Sequence, residues 1–266
     1  MAKRLPAVMI HGAFCGGWSF AGWRPLYEAQ GFDVHIPNLR HHSSHEAAAR
    51  FLGGVSIRDY CADMGALLDR FESPPVVVGH SLGGLVAQML AAKGRVRALI
   101  LLAPLAPWGM FPSTGFEWMS VQALCWEGAF WKKVLPPRHR IAAAHALERV
   151  SEVPRAAILD RLVPESGLAL FEAMHWFLDP RKVTLVEPRD VTCPILCVVG
   201  QHDRIVSPTT VRGIARRYGG RARYEILQDR GHWLHGEQGW ERIARGSLAW
   251  LEQVLARDSK RVPGGR

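Results

Sequence analysis

The chain has 266 residues, 48% hydrophobic and 21% charged, the composition of an ordinary globular protein with room for a large core in one α/β domain or one domain plus an insertion. No run approaches the roughly 18 apolar residues of a membrane span, and the apolar stretch at residues 7–10, behind Lys3 and Arg4, is too short for a secretion signal, so a cytoplasmic address without membrane attachment is expected. The net charge of +9 raises nucleic acid as a partner, but the densest basic cluster (Arg212, Arg216, Arg217, Arg221 and Arg223) has only Tyr218 and Tyr224 interleaved and matches no nucleic-acid module.

Five cysteines (Cys15, Cys61, Cys125, Cys193 and Cys197) form an odd set without zinc-like spacing. Cys193 and Cys197 read as lying on one strand, about 13 Å apart and beyond disulfide reach. Buried, reduced thiols are the expectation, with no metal and no cofactor.

In chain order, the apolar run at 7–10 closes with His11-Gly12 and predicts a buried strand and a turn. Residues 18–30 predict a helix that Gly31 stops. A second strand at 34–36 ends at Pro37-Asn38, and 38–55 reads as an irregular loop. His41, His42 and His45 in that loop lack a carboxylate or cysteine at ligand spacing, so they read as a polar loop rather than a metal site. Ser56 with Asp59 three residues on predicts a helix start, followed by Ile57, Tyr60, Cys61, Met64, Leu67, Leu68 and Phe71 at helical spacing. Pro74-Pro75 breaks the chain before a strand at 76–78. A helix over 85–92 and a strand over 98–103 follow. The later elements are a strand at 195–199, a helix opened by Ser207-Pro208, a strand at 224–227 and a final helix over about 237–255.

Continuously apolar strands alternating with helices predict an α/β fold: a mostly parallel sheet of about six strands, covered on both faces. Sites in such sheets form beyond the C-terminal strand ends. Ser81, His11-Gly12 and Asp203 all fall there. Residues 105–182 break the alternation. They show no clear strand, and they hold Trp108, Trp118, Trp126, Trp131 and Trp176, five of the ten tryptophans. This segment reads as a helical lid inserted into a core made of residues 1–104 and 183–266. Most of its aromatics are expected to pack the lid onto the core and a few to face substrate.

Gly79-His80-Ser81-Leu82-Gly83 spells G-x-S-x-G between the strand at 76–78 and the helix at 85–92. A strained strand-to-helix turn exposes a serine hydroxyl and leaves backbone N–H groups beside it. A serine becomes a useful nucleophile only when geometry and a base activate it. Asp203, in the loop after the strand at 195–199, and His232, in the loop after the strand at 224–227, are a candidate acid and a candidate base. Asp190 precedes its strand, and Asp229 is only three residues from His232. His235 falls where the last helix begins, and His80 and His202 read as local packing or hydrogen-bond partners. One donor for an oxyanion is the backbone N–H of Leu82.

Over about residues 7–255, the serine turn, the inserted segment, the acid after a strand and the late histidine together resemble the α/β-hydrolase superfamily. The stretch His11-Gly12-Ala13-Phe14-Cys15-Gly16-Gly17-Trp18 looks particularly like the small esterases and hydroxynitrile lyases of the plant methylesterase group. The family usually carries two antiparallel strands ahead of the first strand seen here, whereas only six residues precede Ala7 in this sequence. The resemblance implies the chain order nucleophile, acid, histidine, hence Ser81, Asp203 and His232. It also implies a second oxyanion donor at Ala13, with Phe14 as the alternative. The turn is not a run of three glycines, which by resemblance implies less room for bulky tertiary alcohols. Trp233 stands where the hydroxynitrile lyases have a lysine, and a serine at 81 differs from the aspartate of dehalogenases and epoxide hydrolases in the superfamily.

The expected activity is cofactor-free cleavage of small to medium apolar or aromatic carboxylic esters through an acyl-enzyme on Ser81. Phe14, His80, Trp108, Trp126, Trp131 and Trp233 are the candidate substrate contacts. Lactone, thioester or carbon–carbon bond hydrolysis by the same residues is the alternative, and a non-enzymatic ligand receptor the more distant one. A monomer or homodimer acting on a small-molecule ester, without nucleic acid, is expected.

Overall fold

The apolar runs become strands of one sheet. The computed structural model describes residues 4–43, 50–126 and 128–261, so His45 lies outside the described residues. The strands are β1 (Leu5–Ile10), β2 (Phe32–His35), β3 (Val76–His80), β4 (Ala98–Leu102), β7 (Ile195–Gly200) and β8 (Ala222–Leu227), in the order β2-β1-β3-β4-β7-β8. Every pairing is parallel. All residues of β3, β4 and β7 are buried, as continuous apolar strands require when both sheet faces are covered.

The strand period of two divides the core. Val8, Ile10, Val77, Leu99, Cys197 and Val199 face one layer, built from α2 (Ile57–Leu68), α3 (Leu82–Ala91) and α7 (Pro208–Tyr218). Ala7, Met9, Val76, Val78, Ile100 and Val198 face the other, with α1 (Trp23–Ala29) and α8 (Trp240–Arg261). The expected α/β architecture and its six strands are present.

Several boundaries differ from the sequence reading. The helix expected over 18–30 is a 3-10 turn, Gly17–Phe20, followed by α1. The break falls at Gly22, where a side chain would meet the Trp240 ring at 2.8 Å. The last helix starts at Trp240, because the Glu237 carboxylate is turned back to accept from the Gly231 and Trp233 N–H groups. Cys193 lies in a bend before β7, not on it. Four cysteines are buried and free, but Cys125 is exposed at the end of its helix, 3.3 Å from His175 Nε2. Burial pushes the Cys61, Cys193 and Cys197 thiols up to about 12.

Between β4 and β7 lies an insertion with α4 (Gly115–Cys125), β5 (Val134–Leu135), α5 (Glu152–Leu159), β6 (Glu165–Ser166) and α6 (Gly167–Met174). β5 and β6 pair antiparallel, a correction to the strandless reading of this segment. Strands of two residues are too short to carry an alternating pattern. No described helix is long and apolar enough to cross a membrane. The basic cluster is partly engaged locally: Arg217 and Arg221 donate to the Val186 and Pro188 carbonyls, Arg223 pairs with Glu225, and Arg212 lies over the Tyr224 ring.

Candidate active site

Ser81 sits at the tip of the turn between β3 and α3 with φ 50° and ψ −117°. A non-glycine residue there carries strain of about 1–3 kcal/mol and persists only where its surroundings fix it. Four backbone bonds do so: Ser81 N–H donates to Leu102 O (3.0 Å), and Ser81 O accepts from Gly84 (2.9 Å), Leu85 (3.3 Å) and Leu105 (3.0 Å). The turn also needs its glycines. A Cβ on Gly79 would lie 2.5 Å from Gly83 O, and one on Gly83 would collide with the Ile10 and His11 carbonyls. The helix thereby starts hard against β1, and Leu82 presents one of its unpaired first-turn N–H groups beside the serine.

Asp203 and His232 come together from loops after β7 and β8. His232 Nδ1 donates to Asp203 Oδ2 at 2.8 Å. Asp203 Oδ1 accepts from the Ile205 and Val206 N–H groups, both at 2.9 Å. Both side chains are buried. With Nδ1–H held by the carboxylate, the neutral ring keeps its lone pair on Nε2. Burial alone would push the His232 imidazole down, but the Asp203 charge and hydrogen bond outweigh it and raise its pKa above the ordinary value. Glu148, from the insertion, and Glu237 add to that rise.

The His232 loop is set against the serine turn through His80. The His80 Nε2–H donates to His232 O (3.0 Å), and the two rings lie 4.7 Å apart. Gly12, after β1, closes the other side, where an added Cβ would lie 3.1 Å from Ser81 Cβ. No hydrogen bond within 3.5 Å joins the Ser81 hydroxyl to His232 among the described residues. Such contacts often tighten only when substrate binds.

The other candidates lie elsewhere. The His235 ring stacks on Phe20 (4.7 Å) and meets His80 at a tilt (4.3 Å), and burial holds its pKa down to about 3. The Asp229 side chain is 88% exposed and faces His202 at 3.9 Å. Asp190 sits in a short 3-10 turn before β7.

The turn after β1 is fastened to the insertion. Phe14 has φ 61°. Its N–H donates to Glu165 Oε2 (3.3 Å), and its carbonyl accepts from Val163 (2.9 Å). The same Glu165 oxygen accepts from His42 Nε2 (3.0 Å), while Oε1 accepts from the Tyr60 hydroxyl and the Ser166 N–H, both at 2.7 Å. His42 Nδ1 donates to Arg40 O (3.0 Å), so both ring nitrogens act as donors and the ring is an imidazolium. His42 is therefore buried and ion-paired, which corrects its reading as part of a polar loop. No cluster suited to a metal ion occurs among the described residues.

Near this site a small open cleft runs between core and insertion, with Ser81, Asp203 and His232 outside its lining. Leu105 and Val206 at its wall are the residues whose N–H groups hold Ser81 O and Asp203 Oδ1. Its apolar lining includes Met110, Phe111, Val121 and Trp176. Phe14, His80, Trp108, Trp126, Trp131 and Trp233 are not among its lining residues. Trp126 is 90% exposed past the end of α4, Trp131 packs on Phe130 and Phe171, and Trp108 packs edge-on against Trp176. Trp233 is buried with Trp18 and His235.

Sequence reasoning passed over Glu165 and Glu148, and gave His42 and Tyr60 no part in the site. Glu165 lies 123 positions from His42, beyond any local pattern. Glu148 left no signal either: among the described residues, its two buried oxygens have no hydrogen-bond partner.

A model of the alpha/beta hydrolase family matches residues 7–245, and the chain belongs to that family. A pyrethroid hydrolase of Sphingobium wenxiniae is 34% identical over 110 residues, which are 40% of this chain and 39% of that protein. The match thus spans well under half of that relative. Among solved structures, tomato methylketone synthase I bound to 2-tridecanone is 16% identical with a TM-score of 0.72, covering 94% of this chain and 99% of the other. A methylesterase from Arabidopsis is 15% identical with a TM-score of 0.71, covering 93% and 99%. At these identities the structural likeness speaks for the fold.

Proposed function

We propose that the protein is a serine hydrolase that cleaves carboxylic esters of small to medium apolar or aromatic substrates through an acyl-enzyme on Ser81. The observation that carries this reading is the strained Ser81 turn tied through His80 to the loop of a buried Asp203–His232 pair joined at 2.8 Å. His232 Nε2 takes the hydroxyl proton as Ser81 Oγ attacks the ester carbonyl. The oxyanion accepts from the Leu82 and Ala13 N–H groups at the start of α3 and after β1. The protonated His232 then delivers its proton to the leaving alcohol. A water, activated by the same nitrogen, releases the acid and restores the serine.

The apolar cleft walled by Leu105 and Val206, the residues bonded to Ser81 O and Asp203 Oδ1, supports a substrate with an aliphatic or aromatic group. The insertion, residues 105–182, acts as the lid over a core of residues 1–104 and 183–266. A relative named as a pyrethroid hydrolase and a methylesterase of similar fold favour an ester as the reacting group. The test is a panel of p-nitrophenyl esters of rising acyl length on the wild type and on Ser81→Ala. Turnover that falls at least about 10³-fold in Ser81→Ala, with short and medium acyl chains preferred, is the expected result. Equal turnover in the two proteins would sink the proposal.

A further inference from the structure

We infer that Glu165 is a positioning residue for the oxyanion turn: its carboxylate takes the Phe14 N–H and leaves the Ala13 N–H as the donor that faces the reacting carbonyl. The inference rests on the serine-hydrolase reading above. Of the two donors weighed on that turn, the Phe14 N–H is already engaged, by Glu165 Oε2 at 3.3 Å. An N–H held by a buried carboxylate cannot also serve an incoming oxyanion, whose charge the carboxylate would repel.

The carboxylate is itself held without slack. Its four bonds come from four places: the β1 turn, His42 in the loop after β2, Tyr60 on α2, and its own strand at Ser166. The Val163 bond to Phe14 O fixes the other side of the same residue. Phe14 keeps its positive φ because both of its backbone polar groups are pinned to the insertion. Buried ion pairs are a weak source of stability compared with apolar packing. What this one supplies is a fixed register between the insertion and the turn that carries Ala13.

Glu172 provides a control. It is another buried carboxylate of the insertion, and it grips Ser56 Oγ and the Ile57 N–H at the start of α2 without touching the β1 turn.

The experiment measures kcat and KM for p-nitrophenyl butyrate, with inhibition by phenylboronic acid, which forms a tetrahedral adduct on a reactive serine. Glu165→Gln is expected to lower kcat about 10- to 100-fold, to weaken boronate inhibition by a similar factor, and to hold KM within about threefold. Glu172→Gln is expected to keep kcat and boronate inhibition within about threefold while its melting temperature falls. Unchanged kcat in Glu165→Gln, or equal losses in both variants, would overturn the inference. If Glu165→Gln does not fold, Tyr60→Phe removes one of the carboxylate's bonds. It is expected to lower kcat about 3- to 10-fold at constant KM, and an unaltered kcat counts against the proposal. Ser81→Ala run alongside separates the two levels. Turnover retained there overturns the serine reading and this inference with it. Turnover lost there but kept in Glu165→Gln overturns this inference alone.

Discussion

His232 holds the most information per atom in this site. The Asp203 bond fixes its tautomer and, against the pull of burial, raises its pKa above the ordinary value of about 6.5. A general base must be unprotonated, so the acid limb of kcat/KM is expected above pH 6.5. Asp203→Asn removes the charge and disturbs the tautomer. It is expected to lower kcat about 10⁴-fold and to move the remaining acid limb to lower pH, as a pH–rate profile would show. An unmoved limb would mean that Asp203 does not govern His232. Ser81, Asp203 and His232 were legible as candidates because each follows a recognisable strand within a few residues. Glu165 was not, because its partners arrive from four separate stretches of chain and nothing local marks it as buried.

At the scale of elements, local rules served well where a cap or a continuous apolar run was present. Ser56 caps α2 with Asp59 as read from the sequence, but Glu172 also uses the Ser56 hydroxyl, and only the fold brings those two together. Ser56→Ala therefore removes a cap and leaves a buried carboxylate short of a donor. The expected loss is about 2 kcal/mol, or a melting temperature lower by about 4–8 °C. A melt that matches the wild type would contradict the role of this joint. The Ser81 turn is less forgiving. Gly83→Ala drives a methyl into the Ile10 and His11 carbonyls, and the expected outcome is little folded protein on expression. The two-residue strands β5 and β6 escaped the sequence reading because pairing defines them and periodicity does not. The first helix was overextended because Gly22 makes room for Trp240, 218 positions later.

Across the whole molecule, the insertion is joined to the core by buried charge as well as by apolar packing. For His42, burial lowers the pKa, but the Glu165 charge and hydrogen bond raise it further than burial depresses it. For Glu165, burial raises the pKa, and the His42 charge and the hydrogen bonds reverse that to a net fall. The His42 contribution to stability is full below pH of about 6.5 and is lost as pH rises through its raised value. The Glu165 contribution is full above pH of about 4.5 and is lost as pH falls through its depressed value. The pair therefore contributes most between about pH 4.5 and 6.5. Melting temperatures across pH should show wild type and Glu165→Gln furthest apart in that window. A separation that does not change with pH would argue against a charged pair.

The same architecture sets the substrate prediction. Val121→Trp, which fills the cleft, is expected to raise KM for p-nitrophenyl hexanoate at least about tenfold more than for the acetate. Equal effects on both esters would place the acyl group elsewhere. Ser81 as the nucleophile is the claim on which the rest depends, and mass spectrometry after treatment with a fluorophosphonate tests it most directly. One covalent adduct is expected, on the peptide containing Ser81, formed as ester turnover is lost and absent in Ser81→Ala. An adduct on another residue, or turnover that survives full labelling of Ser81, would contradict it.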